Sequence, residues 1–347
     1  MAYRVLCFRA ACLATVVIGA LTSGQPQAQH ATPAAADFYR GKTVNVLVGF
    51  SVGGGFDLYG RALARHLGRH IPGNPTVVVQ NMPGAGSLKS VDYLFSVAPR
   101  DGTLIGTFSH TIPIEPLIGN ARFDPRQLAW IGSMASETSV CLAWGRSPVK
   151  TWDDLRRLPF TIGGTGRGSD TDMYAKLLRS VFGLPVKLVT GYPGTSEMVL
   201  ATERGELDGF CGIFYSTLVT RHDDWIAGGR INILVQAGLT RDKELPNVPM
   251  VLDFARDDRE RQILMLLIAP QTMARPFAMP PGTPSPRVEV MRRAFHATLA
   301  DPEFLADAAA ARIDISAVSA GEIERLLAAL YRTPPDIVQQ AVRALAE

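Results

Sequence analysis

Short runs of β-branched and aliphatic residues alternate along the chain with stretches whose apolar positions recur at helical spacing. Thr43 to Phe50 (TVNVLVGF) is the first such run, and Gly53, Gly54 and Gly55 end it. Phe56 to His70 then carries Leu58, Ala62, Leu63 and Leu67 on one helical face. Thr76 to Gln80 (TVVVQ) predicts a second strand, Ser87 to Ala98 a second helix, and Thr103 to Phe108 (TLIGTF) a third strand. Strands that alternate with helices in this way point to parallel pairing through right-handed crossovers.

A second series of the same kind begins near Cys141. Thr151 to Leu158 predicts a short helix with Thr151 as its N-cap. Strands are predicted at Phe160 to Gly163, Val186 to Val189, Leu207 to Ile213 and Ile231 to Gln236, with helices at Asp170 to Phe182 and Thr195 to Arg204. The run Ile263 to Ala269 (ILMLLIA) reads as a buried strand. After Pro284 the pattern is helical: Pro286 to Leu299, Pro302 to Ala311, Ala320 to Arg332 and Pro335 to Ala346. A helical tail with no sheet of its own must bury its apolar stripes, and the economical place is back on the first unit. The chain would then pass between two α/β units twice, near 140 and near 262, creating a hinge and a cleft.

Composition changes this picture little. The 347 residues suffice for two domains. The leading segment alters the charge: Arg4 and Arg9 form a short basic start, Ala10 to Leu21 is almost wholly apolar, and small residues end candidate cleavage sites at Ala28 and Ala36. The apolar stretch falls short of the ~20 residues that span a bilayer, so it reads as a cleaved signal peptide and the mature chain as exported. Removing Arg4 and Arg9 leaves 33 of the 35 Lys and Arg against 32 Asp and Glu. Such a balance gives no footprint for nucleic acid. Cys7 and Cys12 leave with the signal. Cys141 and Cys211 remain, and both a disulfide and two buried free thiols stay open.

Three glycine-rich corners link a strand to a helix. Gly53-Gly54-Gly55-Phe56-Asp57 opens the first helix, where free amides and the positive helix end favour an anion. Gly163-Gly164-Thr165-Gly166-Arg167-Gly168-Ser169-Asp170 takes the same place in the second unit. Two such corners facing one cleft would make an anion clamp. Neither fits a phosphate-binding P-loop or the GxGxxG spacing of a dinucleotide site. Asp57 either steadies the helix start or accepts from a ligand hydroxyl or amino group, and Arg167 either pairs with a carboxylate or is solvated. The third corner, Asn81 to Ser87 (NMPGAGS), is either a fixed turn or a ligand loop. Tyr192, Thr195 and Ser196 sit in a Gly/Pro turn (GYPGTSE) and are candidates for a cleft wall.

Two catalytic readings compete. Gly49-Phe50-Ser51-Val52-Gly53 fits GxSxG between a strand and a helix, as a hydrolase nucleophile elbow does, with His110, His222 and His296 downstream. It follows the first strand of the mature chain, however, and no earlier loop is present to complete an oxyanion hole. His66 and His70 are four apart on a helix, but without HExxH they read as a solvent-facing pair, and no metal is expected.

Several segments together resemble a family. VGFSVGGGFDLYGRALARHL (Val48 to Leu67), VVVQNMPGAGSLKSVDYL (Val77 to Leu94), PRDGTLIGTF (Pro99 to Phe108), the GGTGRGSD loop, GYPGTSE, GELDGF (Gly205 to Phe210), LPNVPM (Leu245 to Met250) and PPGTP (Pro280 to Pro284) resemble the substrate-binding receptors of tripartite tricarboxylate transporters, the Bug or TctC type. The resemblance spans nearly the whole mature chain. It implies a two-lobed α/β periplasmic-binding-protein fold, type II-like, with two doubly wound sheets joined by a hinge with two crossovers. On that frame 1–36 is signal peptide and leader, 37–140 plus 263–347 the first lobe, and 141–262 the second. It implies a monomeric, periplasmic, non-enzymatic receptor without cofactor. Such a receptor captures a small carboxylate and delivers it to membrane subunits of the transporter. A GxSxG hydrolase using Ser51 and a ligand sensor for a signalling partner are the alternatives. The ligand contacts it implies are Gly53, Gly54, Gly55, Phe56 and Asp57 at the first corner and Gly166, Arg167, Gly168 and Ser169 at the second. Thr107, Ser109, His110, Tyr192 and Thr195 would be the cleft walls, and Ser51 and Asp208 complete the set. The chain departs from the common pattern at Val52, where proline is usual, and at Tyr192-Pro193-Gly194, where a YKG-type turn is usual; the second departure is at the cleft.

Overall fold

The computed structural model describes residues 38–119, 121 and 123–346; the expected signal peptide at 1–36 lies outside the described residues. The order along the chain is β1 (Thr43–Val48), α1 (Gly55–Leu67), β2 (Thr76–Asn81), α2 (Leu88–Ser96), β3 (Leu104–Thr107), α3 (Glu115–Ile118), β4 (Ala129–Ser133), β5 (Ser139–Trp144), α4 (Trp152–Leu155), β6 (Phe160–Gly164), α5 (Asp170–Ser180), β7 (Val186–Thr190), α6 (Thr195–Arg204), β8 (Gly209–Phe214), α7 (Tyr215–Arg221), α8 (Asp223–Ala227), β9 (Ile231–Ala237), α9 (Asp258–Ile268), β10 (Pro276–Met279), α10 (Ser285–Ala300), α11 (Pro302–Ala310), β11 (Val318–Ser319), α12 (Ala320–Leu330) and α13 (Pro335–Ala346).

These strands make two sheets. The first runs β11-β4-β10-β3-β1-β2 and the second β7-β6-β8-β5-β9. In the first, β1 lies parallel between β2 and β3, while β10 is antiparallel to both β3 and β4. In the second, β6 lies parallel between β7 and β8, and β5 is antiparallel to β8 and β9. The inner strands β1, β3 and β6 are buried along most of their length and coincide with apolar runs read from the sequence, because strands covered on both faces need apolar side chains on both. The chain leaves the first sheet after β4, enters the second at β5, and returns between β9 and β10. Two doubly wound lobes joined by two crossovers are therefore present.

Helix α1 is amphipathic for a plain reason. Phe56, Tyr59, Ala62, Leu63 and Leu67 recur on one face and are buried, and they share a core with Val44, Val46 and Val48 of β1. Thr151 caps α4 in a reciprocal capping box with Asp154. Ser169 caps α5, accepting from the Asp172 amide. Cys141 and Cys211 stand directly opposite each other on β5 and β8 and form a disulfide, which resolves the alternative left open by the sequence.

Two expectations are corrected. The run Ile263 to Ala269 is not a strand; it is the apolar end of helix α9, which Asp257 caps by accepting from the Glu260 amide. A polar first turn, DRER, extends the helix N-terminally beyond the apolar run, and that run alone does not tell strand from buried helix. The tail also does not pack wholly on the first unit. Helices α10 and α11 lie against α1 and α12 against β4, but α13 lies against α3, α5 and α9. Lys176 of α5 donates to the Leu345 carbonyl at 2.9 Å.

Candidate functional site

The C-terminal ends of β1 and β6 face each other across the two sheets, and the loops leaving them meet. Their pairing is crossed. The Ser51 amide donates to the Pro193 carbonyl at 3.3 Å, and the Ser51 hydroxyl donates to Glu197 Oε2 at 2.8 Å. The Gly86 amide donates to the Thr165 carbonyl at 3.0 Å, and Thr111 Oγ1 donates to the Gly168 carbonyl at 2.6 Å. Thus the first corner touches the GYPGTSE turn, and the second corner touches the NMPGAGS loop. The lobes are closed on each other.

Between these contacts is a small buried chamber. Phe50, Gly55 and Phe56 come from the first lobe; Thr165, Asp170, Thr171, Thr195, Phe214 and Thr217 come from the second; Arg275 comes from the returning crossover. No side chain caps α1, so its first amides have no intrahelical acceptor. Gly55 is required by space: a Cβ there would stand 2.7 Å from Thr217 Oγ1 and 2.8 Å from Arg275 Nη1. Helix end and guanidinium therefore converge on one spot.

Arg275 is the largest polar feature of the site. Its side chain is 2% exposed. Nε donates to Glu137 Oε1 at 2.7 Å, and Nη2 donates to Thr217 Oγ1 at 2.9 Å. The guanidinium lies over the rings of Phe56, Tyr59 and Phe214 at 4.9, 4.5 and 4.5 Å from their centroids. Stacking and hydrogen bonding of this kind suit arginine rather than lysine. Asp170, also buried, makes no salt bridge among the described residues, and burial pushes its carboxyl up to about 7. His110 is wholly buried beside Phe214, with no partner on either ring nitrogen. Burial and the charge of Arg275 drive its ring down to about 3, so it is neutral.

The residues expected from the sequence divide. Gly55, Phe56 and Thr195 line the chamber, Gly54 stands against Thr195, and Thr107 and His110 are buried with unpartnered side-chain atoms. Asp57 turns away from the chamber. Its carboxylate accepts from the Gly53 amide, from Arg61 Nε and from Asn81 Nδ2 at 2.9, 3.0 and 2.9 Å. Burial alone would raise its pKa, but these hydrogen bonds outweigh burial and hold it below the usual value. Gly166, Ser169 and Ser109 are engaged inside the loop contacts: Gly166 N donates to Asp172 Oδ1, Ser169 caps α5, and Ser109 Oγ shares a hydrogen bond with Thr111. Tyr192 donates its amide to Gly164 beside the second core.

Two expected residues are not brought there. Arg167 is 54% exposed and points toward Glu115 at 4.0 Å; it lines a separate cavity of about 350 Å³ with Lys176 and α13. Asp208 accepts from the Thr161 amide at 2.8 Å, at the far end of β6 from Gly164. Arg275, Asp170, Glu137 and Thr217 were missed. Asp170 stood in the quoted loop and passed for a first helical residue. Arg275 carried one signal, a charge inside the apolar stretch MARPFAM. Ser51 Oγ is held by Glu197 and no histidine, so the hydrolase triad is not assembled.

Two α/β lobes, two crossovers and a chamber walled by both lobes define a bilobal solute-binding protein. The chain belongs to the tripartite tricarboxylate transporter family receptors, whose model matches residues 61–342. Members of this family bind solutes, and the chain is a receptor rather than an enzyme. A UPF0065 protein from the gbd 5' region of Cupriavidus necator is 24% identical over 244 residues, 68% of this chain and 72% of the relative. Among solved structures, the periplasmic binding protein BugD superposes with a TM-score of 0.69 at 21% identity, over 88% of this chain and 98% of that one. Rpa4515 of Rhodopseudomonas palustris, solved with adipate, gives 0.67 at 16% identity over 88% and 98%. MatC of the same organism, solved with malate, gives 0.65 at 17% identity over 88% and 99%.

Proposed function

We propose that this chain is an exported, periplasmic receptor that captures a small carboxylate in the interlobe chamber and delivers it to the membrane subunits of a tripartite transporter. The observation that carries the reading is the meeting of Arg275 and the uncapped start of α1 at Gly55. Amide donors and a buried guanidinium are the donors a carboxylate needs, each charge-assisted bond contributing roughly 1.5–3 kcal/mol. Family membership supports it, as do the malate and adipate seen in structural neighbours. The basic and apolar leader at Arg4 to Leu21 supports export.

Ligand stabilises the closed form because closure builds the chamber; a solute that bound open and closed forms equally would shift nothing. The test is calorimetric titration of the mature chain with a panel of small carboxylates, repeated on Arg275→Gln with Glu137→Gln. Micromolar binding by at least one acid, weakened at least tenfold in the double variant, is the expected result. Binding of neutral analogues as tight as that of the acids would overturn the reading.

A further inference from the structure

The chamber holds one acidic and one basic side chain, and their arrangement bears on which carboxylates fit. Arg275 has already given Nε to Glu137 and Nη2 to Thr217, and Nη1 stands next to Gly55 at the open start of α1. Glu137 matches the guanidinium charge, so the chamber has no surplus cation. Asp170 lines the same chamber. Its hydrogen bonds are local, the Thr171 amide donating at 3.0 Å, and no basic side chain is in salt-bridge contact with it among the described residues. Gly212 faces it with no side chain in the way; a Cβ there would stand 3.1 Å from the Asp170 carboxyl carbon.

We propose that Asp170 and Arg275 make the chamber selective for a small monocarboxylate that carries a hydrogen-bond donor, a hydroxyl or an ammonium, on the carbon next to its carboxyl group, and that Asp170 rejects dicarboxylates. This rests on the carboxylate-receptor reading above and narrows it. The ligand carboxylate lies at Nη1 of Arg275 and the amides of α1. The neighbouring donor lies at the Asp170 carboxyl. The remaining carbon faces the rings of Phe50, Phe56 and Phe214. A second carboxylate would instead meet the Asp170 carboxyl with no cation of its own, because Glu137 already pairs with Arg275 and an unpaired buried charge is costly. In this closed form the chamber is only about 20 Å³, room for one or two waters, so the loops must part to seat even a small acid.

The test uses the mature chain and titration calorimetry with five probes: lactate, alanine, propionate, malonate and succinate. Lactate or alanine is expected to bind at least tenfold more tightly than propionate, and both diacids more weakly than propionate. Asp170→Ala is expected to bring lactate, alanine and propionate within threefold of one another and to strengthen malonate binding. Asp170→Asn keeps the shape and an acceptor but not the charge. It is expected to weaken alanine at least tenfold while leaving lactate within threefold if the natural donor is a hydroxyl, and to abolish all tight binding if it is an ammonium. Ligand-free melting confirms that each variant folds. Diacids that bind the wild type as tightly as lactate and alanine, or an Asp170→Asn protein with wild-type affinity for every probe, would overturn this inference while leaving the receptor reading intact. A wild type that binds no carboxylate would overturn both.

Discussion

Glu137 Oε1 and Arg275 Nε lie 2.7 Å apart, both side chains almost wholly buried, and each belongs to a different crossover between the two lobes. Glu137 is in the connection from β4 to β5, and Arg275 immediately precedes β10. One ion pair therefore ties the two strands of the hinge and at the same time sets the guanidinium in the chamber. Ser216 holds the other oxygen of Glu137.

Breaking that pair from one side leaves a buried charge uncompensated. Glu137→Leu alone is expected to destabilise the protein by about 3–5 kcal/mol, and Glu137→Leu with Arg275→Met by much less. Urea unfolding of the two singles and the double, read as a double-mutant cycle, checks this. Additive effects would show that the contact is not coupled.

Ser51 and Glu197 form a hydrogen bond from one lobe to the other, which opening of the lobes would break. Ser51→Ala is expected to leave the ligand-free melting temperature nearly unchanged and to weaken ligand binding roughly three- to tenfold, the worth of one such bond. The loss belongs in the dissociation rate, which stopped-flow displacement measures.

Asp57 holds the first corner in shape and does not touch the chamber. Asp57→Ala strips an acceptor from the Gly53 amide, Arg61 and Asn81. A loss of about 1–3 kcal/mol in stability is expected, together with a similar fractional loss of affinity for every ligand. A change of preference among ligands would instead place Asp57 at the solute.

Asp170 and His110 give opposite pH dependences. The Asp170 carboxyl rises in the folded protein to about 7, so its contribution to stability is full below its ordinary value near 4 and is lost as the pH climbs to 7. The His110 ring falls to about 3, so its contribution is full above about 6.5 and is lost as the pH drops toward 3. Relative to wild type, Asp170→Asn is expected to gain stability from pH 4 to 7, and His110→Gln to gain as the pH is lowered from 6.5. Melting temperatures across pH 4 to 8 give both differences; differences flat with pH would contradict the burial of these groups.

The parallel strands and the helices between them were legible because β1, β3 and β6 are buried on both faces and spell it in β-branched residues. The antiparallel strands β4 and β10 were not. Ala129–Ser133 and Pro276–Met279 are short, and Gly132 and Pro276 interrupt their propensity. The apolar run at Ile263 misled because period cannot be read from so few consecutive apolar residues. The glycine corners announced where the loops of the two lobes meet. They could not announce Arg275, since its partner Glu137 is 138 positions away in the chain and no local pattern joins them. Nor could they show that Asp57 turns away from the chamber, because that depends on Asn81 from the neighbouring strand.

The most direct measurement is a crystal structure of the mature chain with the tightest-binding carboxylate. A ligand carboxylate within hydrogen-bond distance of Arg275 Nη1 and the first amides of α1 is the expected result. A ligand seated in the cavity of Glu115, Arg167 and Lys176, with the chamber at Gly55 unchanged, would contradict the account.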